Sequence, residues 1–164
     1  MSARGGLYLS AGLGVGFGLT EGEAELGGGL DIATRISVGQ QIDSSLGVGL
    51  VVHLLQLDRD GFSGFGGGLG LEGRWSPFSG LGLDLTLGAA FMALSLERGD
   101  EAARSEDDPE GGVAGRLHVS LGWELPLLRD RSLGIRPYVE AFVLPGTDLL
   151  GGGVVGGLEL RWTL

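Results

Sequence analysis

Cysteine and lysine are both absent from this sequence. Without cysteine there is no disulfide framework, no thiol nucleophile and no thiolate metal site. Without lysine there is no Walker A lysine, no Schiff base and no Ser-Lys dyad, and all 11 basic residues are arginine. Histidine occurs only at His53 and His118, which excludes a three-histidine metal site, and neither a metal nor a cofactor is expected. No apolar run approaches the roughly 18 to 20 residues of a spanning helix, because glycine or a polar residue interrupts every few positions. If a membrane is crossed, strands must cross it. The net charge of -10 argues against a nucleic-acid partner, whose phosphates require a basic surface. The opening Met-Ser-Ala-Arg-Gly-Gly has no apolar h-region, so no signal peptide is expected, and an exported protein would stand here in mature form.

What is present is glycine, 35 of 164 residues, in a chain that is nevertheless 43% hydrophobic. That combination fits neither a polar disordered segment nor a flexible linker, and the length fits one domain, 1–164. The apolar residues alternate with period two, the signature of strands with two unlike faces. From Leu7 to Leu19 the odd positions are Leu, Leu, Ala, Leu, Val, Phe, Leu and the even ones are mostly glycine. The same alternation predicts strands over 30–42, 46–57, 65–75, 81–96, 113–125 and 133–144, and a last one ending at Leu164. In the fifth strand the phase slips near Ala93-Leu94, which reads as a bulge.

Eight strands result, joined alternately by short turns and longer acidic loops. The acidic segment from Arg98 to Gly112, with Glu101, Glu106, Asp107, Asp108 and Glu110, is the longest. It lacks the ligand spacing of an EF-hand loop, so a solvated loop is the expectation, not a Ca²⁺ site. Ser45-Leu46-Gly47-Val48 recurs as Ser132-Leu133-Gly134-Ile135, and Leu71-Glu72-Gly73-Arg74-Trp75 as Leu158-Glu159-Leu160-Arg161-Trp162, both 87 residues apart. These repeats suggest a duplicated four-stranded unit.

The final stretch, Gly156 to Leu164, sends Leu158, Leu160, Trp162 and Leu164 to one face and Glu159, Arg161 and Thr163 to the other. It resembles the C-terminal assembly signal of bacterial outer-membrane barrels, a glycine, two residues, then apolar, any, apolar, carried by Gly157, Leu160 and Trp162 with Leu164 last. The whole chain is similar in layout to small barrels of the OmpA/OmpX/OmpW type. That resemblance implies an all-β, eight-stranded antiparallel up-and-down transmembrane β-barrel, with short turns at one end and longer loops at the other. It also implies a bacterial outer-membrane location, the lipid bilayer and lipopolysaccharide as surroundings, the barrel-assembly machinery as a partner, and a monomer. Trp75, Trp123 and Trp162 fall at the turn-side ends of the fourth, sixth and eighth strands, where an interfacial aromatic girdle belongs. A soluble or designed barrel, with the leucine face inside, is the alternative. It must fit eight rows of Leu, Val and Phe into a lumen only just wide enough for side chains.

With the apolar face outward, the inward charges are five arginines and six carboxylates. Arg35, Arg74, Arg116, Arg136 and Arg161 stand against Glu72, Asp84, Glu124, Glu140 and Glu159, with Asp31 on the same face. Buried ions are costly unless paired, so these residues are expected to form an ion-pair network that fills the lumen. The function expected is then non-enzymatic: membrane anchoring and surface interaction through the acidic extracellular loops. A narrow channel for small solutes is the runner-up. His118-Val119-Ser120 is similar to the His-x-Ser element of barrel lipid A deacylases and makes a lipid-modifying enzyme a third reading, although both residues face the lumen by parity.

Overall fold

The computed structural model describes residues 6–21, 26–59, 62–78, 81–98, 110–130, 132–146 and 150–164. They form β1 (Leu7–Glu21), β2 (Leu26–Gln41), β3 (Leu46–Arg59), β4 (Phe62–Phe78), β5 (Leu83–Arg98), β6 (Glu110–Trp123), β7 (Leu125–Pro126), β8 (Leu133–Pro145) and β9 (Leu150–Thr163). From β1 to β6 and from β7 to β9 each strand pairs antiparallel with the next in chain order, β1 also pairs with β9, and β6 pairs with β8, which closes the sheet. The two-residue β7 continues β6 along the same partner, Leu125 opposite Ile135, so the barrel has eight staves.

The register fixes the barrel's shape. From Leu9 the paired positions run through Val38, Leu50, Leu71, Ala89, Leu117, Val143 and Gly152 and return to β1 at Leu19, a shear of ten residues. With ordinary strand rise and spacing, eight strands at this shear tilt by about 40° and enclose a backbone cylinder of about 8 Å radius. The interior takes side chains and little else. On β1 the outward residues from Leu7 to Leu19 then span about 30 Å along the barrel axis, close to the thickness of bilayer hydrocarbon.

The faces divide cleanly. Leu13, Leu71 and Phe91 are 59%, 65% and 79% exposed on the outside, while Asp31, Arg116 and Arg136 are at most 1% exposed within. A closed belt of exposed Leu, Val, Phe and Trp around a charged interior is the arrangement of a barrel in lipid, and the reverse of a soluble one.

Inward glycines let the larger side chains lie across the wall. A Cβ at Gly39 or Gly49 would collide with the Tyr8 phenol, one at Gly14 or Gly157 with Tyr138, and one at Gly122 with the Arg136 guanidinium. Gly82, at φ +71°, is required by backbone conformation, in the turn between β4 and β5.

Three details differ from the alternation rule. The β4–β5 register runs unbroken through Ala93 and Leu94, so no bulge lies there; the irregularity is between Trp75 and Phe78, at Pro77, which has no N–H to donate. Met92 and Leu94 face inward and Phe91 and Ala93 outward in steady alternation. The β6–β8 ladder is the shortest between full-length staves, Leu117 to Gly122 opposite Val143 to Tyr138. It stops on each side next to a proline of β8, Pro145 or Pro137, and resumes beyond them.

The repeat at 87 residues has a structural counterpart in two hairpins only. Leu46 faces Trp75 in β3–β4 as Leu133 faces Trp162 in β8–β9. The preceding turns match as well. Asp43 Oδ1 accepts bonds from Ser45 N at 2.7 Å and Ser45 Oγ at 2.8 Å, and Asp130 Oδ1 from Ser132 N at 3.0 Å and Ser132 Oγ at 2.8 Å. Elsewhere the correspondence lapses: Arg35 of Ala33-Thr34-Arg35 pairs with His53, whereas Arg116 of the similar Ala114-Gly115-Arg116 does not pair with Glu140, the residue 87 positions after His53, which faces Ser120.

Two outcomes are expected. Gly39→Ala should lower stability by about 1–3 kcal/mol through overpacking against Tyr8 and the Val48 carbonyl. Gly73→Ala, whose Cβ meets nothing within 4 Å, should cost nothing; urea unfolding in vesicles separates the two. The backbone and hydroxyl bonds from Ser45 hold the Asp43 carboxyl below the usual carboxylate range, as those from Ser132 do for Asp130. A depressed carboxylate stabilises its turn above the ordinary value of about 3.9 and loses that contribution as pH falls through its own lower value. Amide exchange at Ser45 and Leu46, compared with an Asp43→Ala variant, should therefore show protection that fades only in that acid range.

Candidate functional site

All eleven charged residues expected inside lie in the lumen, and one ion-pair network joins the five arginines with Glu72, Asp84, Glu124, Glu140 and Glu159. Alternate residues of every stave point inward, so carboxylates and guanidiniums from six different strands converge on an axis only a side chain away. Toward the turn side, Arg74 Nη2 lies 2.5 Å from Asp84 Oδ2 and 2.9 Å from Glu124 Oε2. Arg136 holds Asp84 from the other side, with Nη2 at 2.6 Å from Oδ1 and Nε donating at 2.9 Å. Arg161 donates to Glu124 Oε2 at 2.9 Å and to Gln41 Oε1 at 3.0 Å. Glu124 is the one carboxylate of the group with appreciable exposure, near the turn-side mouth.

Midway along the barrel, Arg35 pairs with Glu72, with Glu140 at 3.3 Å, and through Nε with Glu159 at 3.5 Å. Glu159 also lies 3.5 Å from Arg136 and 3.8 Å from Arg74, and so ties the two levels together. Arg116 pairs with the other oxygen of Glu140 at 2.5 Å. Aromatic rings flank the guanidiniums: Arg161 sits 4.4 Å from the Tyr8 ring centroid and Arg116 4.2 Å from that of Phe142. Tyr8, Tyr138 and Gln41 were not singled out from the sequence, although each lies on the inward parity of its strand.

Beyond this network, toward the loops, the lumen turns mainly apolar, with the Asp31 carboxylate buried beside Gly153. Leu55, Leu57, Met92, Leu94, Ala114, Phe142, Leu144 and Val155 form a buried cluster. Apart from Asp31, the inward charges are therefore confined to part of the barrel's length. The signal was available on β3, where the parity that turns His53 inward also turns Leu55 and Leu57 inward.

His53 and His118 lie between the two zones, their rings edge-to-face at 4.9 Å. Neither ring nitrogen of His118 has a hydrogen-bond partner among the described residues. The Ser120 hydroxyl accepts a bond from Arg136 Nη2 at 3.0 Å. A base and a nucleophile must share a hydrogen bond to act together, and these two do not.

Trp75, Trp123 and Trp162 are 51%, 55% and 44% exposed on the outer wall near the turns. At the C-terminus Leu160 and Trp162 face outward in the β1–β9 seam, Gly157 packs against Gly14 and Tyr138, and Leu164 N bonds to Leu7 O. Glu101, Glu106, Asp107 and Asp108 lie outside the described residues, and Glu110 opens β6.

Closed topology, apolar wall and charged lumen together define the fold as that of a small eight-stranded outer-membrane β-barrel. No family model and no curated protein matches the sequence. Solved structures do match in fold. Neisserial surface protein A superposes with a TM-score of 0.63 at 12% identity, over 96% of this chain and 97% of that one. The attachment invasion locus protein Ail of Yersinia pestis, in complex with the heparin analogue sucrose octasulfate, gives 0.56 at 10%, over 95% and 99%. OprG, an outer membrane protein of Pseudomonas aeruginosa, gives 0.53 at 8%, over 99% and 98%.

The network makes a definite prediction about Arg35. Arg35→Leu strips Glu72 of its guanidinium and weakens Glu140 and Glu159, and should cost about 3–5 kcal/mol, as breaking buried pairs does. Adding Glu72→Gln should restore part of that loss. Equilibrium unfolding of wild type, both single variants and the double variant in vesicles measures the coupling.

Proposed function

We propose that this chain is an integral protein of the bacterial outer membrane, non-enzymatic and monomeric, whose sealed barrel anchors acidic extracellular loops for surface interaction. The observation that carries the reading is the filled lumen. Arg35, Arg74, Arg116 and Arg136 are all buried and ion-paired, and the apolar cluster around Phe142 and Leu144 closes the loop-side half. An ion crossing the barrel would have to break those pairs and then pass a narrow section lined mainly by apolar side chains, and each step is costly. An eight-stranded barrel leaves no aqueous channel by default. The narrow-channel reading therefore has less support than the anchor.

The solved structures with this fold include two proteins described as a surface protein and an attachment invasion locus protein, which supports a surface role. In the same reading Gly157, Leu160, Trp162 and Leu164 are what the barrel-assembly machinery recognises, Trp75, Trp123 and Trp162 form the girdle at one interface, and lipopolysaccharide surrounds the loop-side wall.

Refolding into lipid vesicles, followed by electrophoresis of boiled and unboiled samples and by single-channel recording, tests this. The expected result is a heat-modifiable band and no steady conductance. Steady single-channel openings from the same folded material would replace the anchor by a pore.

A further inference from the structure

The seam between β6 and β8 is built differently from the others. Its register is continuous from Ala114 opposite Gly146 to Pro126 opposite Gly134, yet the ladder is interrupted twice. One gap leaves Gly115 and Arg116 without backbone pairing to Leu144 and Pro145, and the second leaves Trp123 and Glu124 without it to Arg136 and Pro137. The remaining seams are unbroken except for the irregularity at Pro77. Each gap of the β6–β8 seam holds a proline, which has no N–H to give a neighbouring strand. Each also holds an inward arginine, Arg116 in the gap nearer the loops and Arg136 in the gap nearer the turns. Both are among the largest fully buried side chains of the described residues.

We propose that Arg116 and Arg136 fasten this seam from inside the lumen in place of the missing backbone bonds, and that the barrel opens first between β6 and β8 once either is released. Both side chains cross the seam toward one central pair, Ser120 on β6 and Glu140 on β8, which the register sets opposite each other. From the loop side Arg116 reaches over to β8, with Nη2 2.5 Å from Glu140 Oε1 and its guanidinium 4.2 Å from the Phe142 ring centroid. From the turn side Arg136 reaches over to β6, where it donates to Ser120 Oγ at 3.0 Å and lies against Gly122. The fasteners are anchored in turn to the unbroken part of the wall. Asp84 of β5 holds Arg136 at 2.6 Å, and Arg35 of β2 holds Glu140 at 3.3 Å. A continuous antiparallel ladder needs no such help, since its backbone bonds recur along the whole strand. Where two stretches of ladder are missing, buried charge-assisted bonds are the strongest substitute available. Breaking one of them leaves a buried charge without its partner, and the seam with the least backbone pairing is where the structure can yield.

Hydrogen exchange on the full chain refolded in lipid vesicles tests this, with the amides of β6 and β8 compared with those of β1 and β2, whose shared ladder is unbroken. In the wild type the β6 and β8 amides should exchange about tenfold faster, and Arg116→Met and Arg136→Met should each widen the difference about tenfold further. Arg35→Met removes another buried arginine, from a strand whose ladders are whole on both sides, and should raise exchange at this seam no more than elsewhere. A cross-link keeps the test independent of whether the arginine variants fold. Val119→Cys with Ala141→Cys places two thiols opposite each other on the outer wall, in a chain with no other cysteine, and their disulfide closes the seam. It should bring exchange in β6 and β8 down to the level of β1 and β2, whereas Leu71→Cys with Ala89→Cys across β4 and β5 should leave it unchanged. Uniform exchange around the wild-type barrel would overturn the proposal. So would exchange at the seam that the cross-link between Val119 and Ala141 positions does not slow, or a selective rise in Arg35→Met equal to that in Arg116→Met.

Discussion

Everything in this molecule follows from a lumen about one side chain deep. Eight staves at a shear of ten leave a cylinder of about 8 Å backbone radius, and whatever points inward must fill it without water to spare. Large groups can enter only where the facing wall is glycine, which is why Tyr8 lies over Gly39 and Gly49, Tyr138 over Gly14 and Gly157, and Arg136 over Gly122. A chain with this much glycine is thus a chain of paired large and small positions. The high glycine content and the long arginine side chains are two halves of one packing solution.

The same constraint explains the electrostatics. Charges forced together in a narrow, mostly dry space must be matched, and Glu159 and Asp84 each contact more than one guanidinium. Pairs of this kind add little net stability compared with an apolar filling of the same shape. What they supply is a geometry in which no member can be removed cheaply, spread over strands that are distant in sequence. The apolar cluster beyond Arg116 fills space by the cheaper route and needs no partners.

The sequence made the faces legible because period-two alternation has strong contrast wherever one face is charged or glycine. The strands carrying Arg35, Glu72, Arg74, Arg116 and Glu159 could be phased for that reason. The contrast vanishes at Phe91-Met92-Ala93-Leu94, where both faces are apolar, and a regular strand then looked like a bulge. The apolar end of the lumen was missed for the same physical cause. Which carboxylate each arginine meets was not legible at all, since Arg35 reaches Glu140 across the barrel, 105 positions away, and only shear decides who stands opposite whom. Repeats in sequence were a poor guide here too: Arg116 matches Arg35 by its neighbours, yet the register places it at another level.

The most direct test of a sealed, side-chain-filled lumen exploits the absence of cysteine. Ser120 is fully buried, between the ion pairs and the His53–His118 contact. In a Ser120→Cys variant folded in vesicles, a small water-soluble thiol reagent should leave the thiol untouched from either side and label it completely once the barrel is unfolded. Ready labelling of the folded barrel would mean that water and small solutes reach the middle of the lumen, and the sealed-anchor account would be wrong.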